Sequence, residues 1–396
     1  MEKVIQEPAR RVAVAGEYDV IVAGGGVAGI AAALSARRAG ASVLLLEREY
    51  TLGGLATLGL VTIYLPLCDG RGHQVSFGLA EELLKLSITH GAEKPIPDCW
   101  LQNVAPEARS KRYECQFNAA LFSILCEQLL LREGVTIRYG TQVCGASMAE
   151  GRVQALLCES KTGREAFLCR SVVDATGDAD VCRWAGEQTA LFQQGNILAA
   201  WYYAVEKTGL TLHAVGFCDK PDGEKSAEDR ARQAGVTRYV GLEAEELSGM
   251  MAASHARAME HFLERGEAAP DHMMTTLPTI PQIRMTRRLD CAARMRLADA
   301  GRAMPDSMGL ISNWRKPGPV YEVPLGAVCG SIPNLYAAGR NMAAEEDMWD
   351  VTRVIPCCAV TGEAAGLAAA LGRDVAQLQA VLRERGVPLH LADVGL

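Results

Sequence analysis

The sequence lacks a basic excess. Its 396 residues carry 40 Lys and Arg against 47 Asp and Glu, a formal net charge of −7. A protein that tracks a phosphate backbone gathers positive charge on one face, so nucleic acid is not an expected partner. Paired cysteine spacing is missing too. The 13 cysteines include no Cys-x-x-Cys, and their only adjacent pair is Cys357-Cys358. Zinc ribbons, iron–sulfur clusters and secreted disulfide frameworks all need grouped cysteines. The expectation is therefore reduced, mostly buried thiols and no metal site. No clean apolar run reaches the roughly 20 residues of a membrane span. The most apolar early stretch, Val20 to Leu46, is broken by glycines and by Arg37 and Arg38. Met1 to Gly16 has no secretory pattern, so the expected setting is the cytoplasm, away from membranes. There is no internal repeat and no low-complexity tract.

What is present is ordinary globular composition, 49% hydrophobic and 22% charged, enough to bury a large core. The length favours two domains. Tyr18–Ala23 reads as a buried strand, Ile30–Gly40 as an alanine-rich helix, and Ala41–Glu47 as a second buried strand. Together they form a β-α-β unit with a right-handed crossover. Thr51–Gly72 reads as a long loop and Phe77–Leu86 as a helix. Lys94–Pro106, with three prolines, reads as irregular. Ala119–Arg132 is an amphipathic helix and Val135–Tyr139 a strand. Gln142–Ala149, Arg152–Glu159 and Glu165–Cys169 resemble an antiparallel meander, and Ser171–Ala175 a separate buried strand. From about Gln188 the texture changes to clustered aromatics and charged helices at Glu224–Gln233 and Glu243–Arg265. It returns at a strand, Asn334–Ala338, and a helix, Cys358–Leu371. The expected fold is α/β: a Rossmann-like domain from residues 1–187 and 325–396, a small antiparallel meander, and a mixed α+β substrate domain over 188–324.

The chemistry-bearing motif is Gly24-Gly25-Gly26-Val27-Ala28-Gly29. Gly-x-Gly-x-x-Gly alone is weak, but here it follows a strand, opens a helix and leads to a strand ending in an acid. Gly24 suits the tight turn, Gly26 the approach of a pyrophosphate, and Gly29 close helix–strand packing. The helix N-terminus, through Val27 and Ala28, offers N–H groups to phosphate. Glu47 lies where a carboxylate accepts hydrogen bonds from a ribose hydroxyl. These residues alone leave FAD and NAD undistinguished.

Further segments carry a resemblance. They are Leu46-Glu47-Arg48, Leu52-Gly53-Gly54-Leu55-Ala56-Thr57, Val173-Asp-Ala175-Thr176-Gly177-Asp-Ala-Asp180, Pro281–Arg288, Asn334–Arg340, Arg353–Pro356 and Thr361–Gly366. Nearly the whole chain resembles the FAD-dependent oxidoreductase family that is distantly similar to the fumarate reductase and succinate dehydrogenase flavoproteins. The resemblance implies FAD as cofactor and a glutathione-reductase-type topology. It implies that Arg48, Gly53, Gly54, Leu55 and Ala56 pass close to the cofactor. Val143 would hold adenine through backbone groups, and Ala175, Thr176 and Gly177 would cross near the adenine side. Gly339-Arg340 would return to the pyrophosphate. Gly362, with Ala364 and Ala365, would stand at a second helix start facing the flavin pyrimidine edge. For Gly362 and Gly366, plain helix packing is the other reading.

Flavin carries the hydride, so the protein positions the substrate and manages a proton. Candidate catalytic groups are His73 after the glycine-rich loop, Arg288 as a carboxylate clamp, and Arg353 before the segment expected against the isoalloxazine. Glu345, Glu346, Asp347 and Asp350 form either an exposed acidic loop or part of the site. The family's His-Glu-Ala-His-like stretch is replaced by Ala343–Trp349, so no family histidine carries over. The implied function is hydride transfer between FAD and a small organic substrate, in a chain that is a possible homo-oligomer. Two alternatives stay open: an NAD-dependent dehydrogenase without flavin, and a non-catalytic FAD-binding subunit.

Overall fold

The computed structural model describes residues 4–94, 114–216 and 219–396. Strand β1 (Ala13–Ala23) runs into a fully buried inner half at Val20–Ala23. Helix α1 (Val27–Arg38) follows, buried from Val27 to Ala36, and stops before Gly40 at φ +92°. Burial on all sides explains why the helix shows no polar stripe. Strand β2 (Val43–Leu46) lies parallel to β1, Val20 opposite Val43. The next elements are β3 (Ile63–Tyr64), α2 (Leu79–Ile88), β4 (Cys115–Gln116), α3 (Ala119–Arg132) and β5 (Thr136–Arg138). Helix α3 is capped by Asn118, whose side chain accepts from Leu121 N at 3.0 Å. From residue 95 on, the proline-bearing stretch Lys94–Pro106 lies outside the described residues.

The meander is built from β6 (Gln142–Ala149), β7 (Arg152–Ser160) and β8 (Gly163–Asp174). Here the structure corrects the sequence reading. Glu165–Cys169 and Ser171–Ala175 are not two strands but one, β8, paired along its length with β1. Arg170 interrupts the apolar pattern, yet it only occupies an outward-facing position of a continuous strand. The outer half of β8 pairs antiparallel with β7, and its inner half is parallel to a late strand, residues 335–337.

The middle of the chain holds α4 (Asp180–Ala185), β9 (Thr189–Leu191), β10 (Ala200–Glu206), β11 (Gly209–Val215), α5 (Ala227–Arg232), α6 (Ala244–Glu264), β12 (Met273–Thr276) and β13 (Arg287–Leu289). Strands β11, β10 and β12 form an antiparallel sheet. Alternation along β10 sends Ala200, Tyr202 and Ala204 toward Ala258 and Phe262 of α6, and Trp201 and Tyr203 toward Leu60.

Hairpin β14 (Ser307–Ser312) and β15 (Val320–Pro324) follows. Its Met308, Ile311, Tyr321 and Val323 join the same core as the nucleotide-type unit. The chain ends with β16 (Leu335–Ala337), α7 (Glu346–Thr352), α8 (Ile355–Leu371) and α9 (Val375–Glu384). The main sheet therefore has parallel strands in the order β5-β2-β1-β8-β16, with β7 and β6 continuing from β8. It is the mixed α/β fold with a parallel core that the sequence implied. Among the described residues no single helix is long and apolar enough to cross a membrane.

Candidate active site

A cleft with about 1320 Å³ of space free of protein atoms, its solvent-open part included, opens at the C-terminal ends of β1, β2 and β8. Such an edge is where open α/β sheets bind ligands. The turn after β1 forms its floor. Gly24 has φ +104°, and a Cβ there would overlap Ala175 O of the neighbouring strand end. Gly24 N donates to Leu46 O at 2.8 Å, and Ala175 N to Ala23 O at 2.9 Å, so three strand ends are drawn together. Gly29 does not line the cleft; a Cβ on it would overlap Gly24 O, the close helix–strand packing expected of it.

At Gly26 the wall is open: a built Cβ meets nothing within 4 Å. Gly26 is also the N-cap of α1, with no side-chain cap and no acid in the first turn. The helix therefore turns uncapped N–H groups and its positive end into the cleft through Val27 and Ala28. Gly53 N donates to Gly25 O at 2.8 Å, which brings Gly53, Gly54, Leu55 and Ala56 onto the same wall. This cradle fits a dinucleotide pyrophosphate. Glu47 and Arg48 line the cleft beside it, with Val143 and its neighbours Thr141 and Gln142. The Glu47 carboxylate is nearly buried and accepts from Gly25 N at 2.6 Å and Glu49 N at 2.9 Å. Burial pushes its pKa up, against those two N–H groups.

On the other flank, Ala175, Thr176 and Gly177 line the cleft with Asp178 and Asp180. Fully buried Asp174 anchors this loop, accepting from Thr176 Oγ1 at 2.7 Å, Cys182 N at 2.9 Å and Asn341 Nδ2 at 3.0 Å. Arg340 lines the cleft too, but its guanidinium is committed to protein. It donates to Gly177 O at 2.6 Å, to Asp178 Oδ1 at 2.5 Å and to Ile283 O. It thereby pins the Ile280–Ile283 segment against the loop after β8. Asp180 faces Arg287 at 3.3 Å, yet burial and the charges of Asp178 and Asp174 push it up to about 6.

Gly339, Gly362, Ala364 and Ala365 do not line the cleft. The helix expected from Cys358 begins three residues earlier, at Ile355, with Pro356 in its first turn, where no N–H bond is needed. Gly362 lies in the buried middle of α8, and a Cβ on it would overlap Ala28 O. Helix packing is thus what Gly362 and Gly366 serve. Ala364 and Ala365 are buried in the same helix, and Gly339 packs on Ala28 and Cys358.

Of the three candidate catalytic residues, only Arg353 lines the cleft. It sits at the C-cap of α7, where α7 and α8 meet at 91°. Its Nη2 donates to Asp350 Oδ1 at 2.7 Å. Cys358, one turn into α8, also lines the cleft, and its Sγ donates to Arg353 O at 3.2 Å. His73 is elsewhere. It closes a turn on Asp69, with Nδ1 at 3.0 Å from Oδ2, and Gly318 N donating to Asp69 O at 2.9 Å ties that turn to the β14–β15 hairpin. Arg288 lies behind the wall, buried over the Trp349 ring at 5.4 Å and donating to Leu289 O at 3.4 Å. The acidic stretch is no solvated loop either. From Glu346 on it is α7, with Trp349 and Asp350 buried.

Sequence reasoning missed Leu58, Ile280, Ile355 and Cys358, which wall the cleft beyond the cradle, and the acids Asp178 and Asp180. The acids were within reach, since they close the Ala175-Thr176-Gly177 motif. The apolar wall had no local signal, because it converges from three separated segments.

The model of the FAD dependent oxidoreductase family matches this chain over residues 19–200 and 201–384. The thioredoxin reductase of Ureaplasma parvum serovar 3 is 32% identical over 72 residues, a stretch covering 18% of this chain and 23% of that relative's length. Among solved structures, a geranylgeranyl bacteriochlorophyll reductase-like protein from Thermoplasma acidophilum aligns over 93% of this chain and 84% of its own, at 13% identity and a TM-score of 0.45. A flavocytochrome c3 fumarate reductase aligns over 91% and 79%, at 14% identity and a TM-score of 0.43. With the family model matching nearly the whole chain across an uncapped, glycine-lined dinucleotide cleft, this protein belongs to the FAD dependent oxidoreductases, and its cofactor is FAD.

Proposed function

We propose that the enzyme transfers hydride between FAD and a small organic substrate lodged against the wall beyond the cradle. The observation that supports this most is the composition of that wall. Leu58, Ile280, Ile355 and Cys358 make it apolar, and Arg353 supplies one cation. Pockets for small organic molecules are built this way, apolar with few fixed polar groups. When bound, FAD supplies two-electron acceptor and donor chemistry. The chain's own contribution is to bind and orient. The N-terminus of α1 would hold the pyrophosphate and Glu47 the ribose, and Arg353 would stabilise a negative charge developing at the flavin. Burial pushes the Cys358 thiol up to about 12, which keeps it protonated at neutral pH and unsuited to act as a thiolate nucleophile. Purified protein is expected to be yellow, and one member of an anaerobic metabolite panel is expected to bleach it, with colour returning on addition of an acceptor. A yellow protein that no metabolite or reductant-coupled substrate turns over would instead favour a non-catalytic FAD-binding subunit.

The acids on the cleft add a pH dependence. Asp180 is pushed up to about 6, so it is protonated below that pH and charged above it. Once charged, it would repel the phosphates of a nucleotide bound in the cleft. FAD affinity is therefore expected to fall as pH rises through about 6, and Asp180→Asn is expected to flatten the profile. Quenching of flavin fluorescence by apoprotein at pH 5 and 8 measures this; identical slopes for both proteins would exclude Asp180 as the source. The same direction holds for stability. A carboxyl whose folded pKa is raised contributes fully below its unfolded value, and that contribution is lost as pH rises through about 6.

A further inference from the structure

We propose that Asp350 is the positioning residue of the cleft's far wall: its buried carboxylate, shared by Arg353 and Arg315, holds the Arg353 guanidinium in place and ties it to the segment around Asp219. The inference rests on the reading that Arg353 acts at the flavin end of the cleft.

The two carboxylate oxygens of Asp350 are divided. Oδ1 accepts from Arg353 Nη2 at 2.7 Å and Nε at 3.2 Å, while Oδ2 accepts from Arg315 Nε. Asp350 is 1% exposed, so water does not screen either pair. Burial works against the charged carboxylate, but Arg353 and Arg315 hold its pKa below the usual range. Trp314 completes the arrangement. Its Nε1 donates to Asp350 O at 2.9 Å, and its ring lies under both guanidiniums, at 4.4 Å for Arg315 and 5.7 Å for Arg353. From the far side, Arg315 Nη2 donates to Asp219 O at 3.1 Å. Asp219 is itself fixed by Lys225 Nζ at 2.7 Å and Arg238 Nη1 at 2.5 Å.

An arginine side chain carries much rotamer freedom, and a cation that stabilises developing charge must be aimed beforehand. Asp350, three residues before Arg353 in the last turn of α7, supplies that aim. Two guanidiniums and one carboxylate leave the trio a net charge of +1. That permits a test in which charge is constant and position is not.

The test uses FAD-loaded protein and two readouts besides turnover: the flavin midpoint potential, and sulfite affinity read as bleaching of the visible flavin band. Arg353→Ala is expected to lower the potential and to weaken sulfite binding about tenfold, the size of one lost charge-assisted hydrogen bond. The double variant Asp350→Asn with Arg315→Gln keeps Arg353 as the trio's single net positive charge. If Asp350 positions Arg353, the double variant follows Arg353→Ala in both readouts. Wild-type potential and sulfite affinity in the double variant would overturn the proposal while leaving Arg353 in its role. No change in Arg353→Ala would remove the reading beneath it. Asp350→Asn alone discriminates by sign: displacement of Arg353 lowers the potential, whereas mere loss of a negative charge raises it and counts against the proposal. Should that single variant not fold, the double variant carries the test, since it leaves no second guanidinium buried without its carboxylate.

Discussion

Gly26→Val is expected to give a folded protein that purifies without FAD. The backbone at Gly26 is ordinary, φ −68° and ψ 177°, and a built Cβ meets nothing within 4 Å. A Cβ there therefore meets no steric opposition in the apoprotein. The space it would fill is the one into which α1 presents its uncapped first turn. That turn carries no acid and no side-chain cap, so its N–H groups await an anion. A β-branched side chain at the N-cap stands between them and the pyrophosphate. Losing two charge-assisted hydrogen bonds weakens binding by at least about a hundredfold. Flavin absorbance of the purified protein, titration of apoprotein with FAD, and thermal unfolding of both apoproteins measure this. Lost FAD with no more than the small drop in unfolding temperature of a poorer N-cap is the expected pair of results. Stoichiometric FAD at wild-type affinity would show that the pyrophosphate does not lie on the N-terminus of α1. Gly29→Val makes the contrast, because its clash is with Gly24 O inside the fold, and it is expected to lower stability first.

The contrast between those two glycines shows what was legible in the sequence. The β1–α1–β2 unit was readable because strands buried on both faces are continuous apolar runs, and the glycine spacing sits between them. Glu47 followed, since its position is fixed by the end of β2. What escaped depends on contacts between distant segments. The helix read from Cys358 in fact starts at Ile355, since the first helical turn tolerates Pro356. Gly362 fitted a helix start and a helix crossing equally well, and only the approach of Ala28 O decides between them. Asp350 stood in a run of acids that resembles a solvated surface; its burial comes from Arg315 and Trp314, some 35 residues away. His73 and Arg288 were near motifs in the chain but turn to Asp69 and Trp349 instead. Chain proximity to a motif does not fix the direction of a side chain.

Gly366→Ala carries the second large effect, and its sign runs opposite to helix propensity. Replacing glycine by alanine within a helix ordinarily stabilises by up to about 1 kcal/mol. At Gly366 the added Cβ would overlap the carbonyl oxygen of Ala32 and stand 2.7 Å from its Cα. Both are backbone atoms of α1, so no rotamer change relieves the clash, and α1 and α8 must move apart. That crossing also holds Ser35 Oγ donating to Glu363 O at 2.8 Å, while Glu363 Oε2 accepts from Leu79 N of α2 at 2.9 Å. The expected net cost is about 3 kcal/mol, as for overpacking in a rigid core. Gly249→Ala is the control. It lies on the exposed side of α6, its built Cβ meets nothing within 4 Å, and it is expected to be neutral or stabilising. Urea midpoints of the two apoproteins at equal slope measure the difference. The Gly366 variant should also bind FAD more weakly, because the helix it displaces is the one whose N-terminus would hold the pyrophosphate. A Gly366 variant as stable as the Gly249 variant would mean that α1 and α8 are not in backbone contact, and the placement of the cradle over that contact would fall with it.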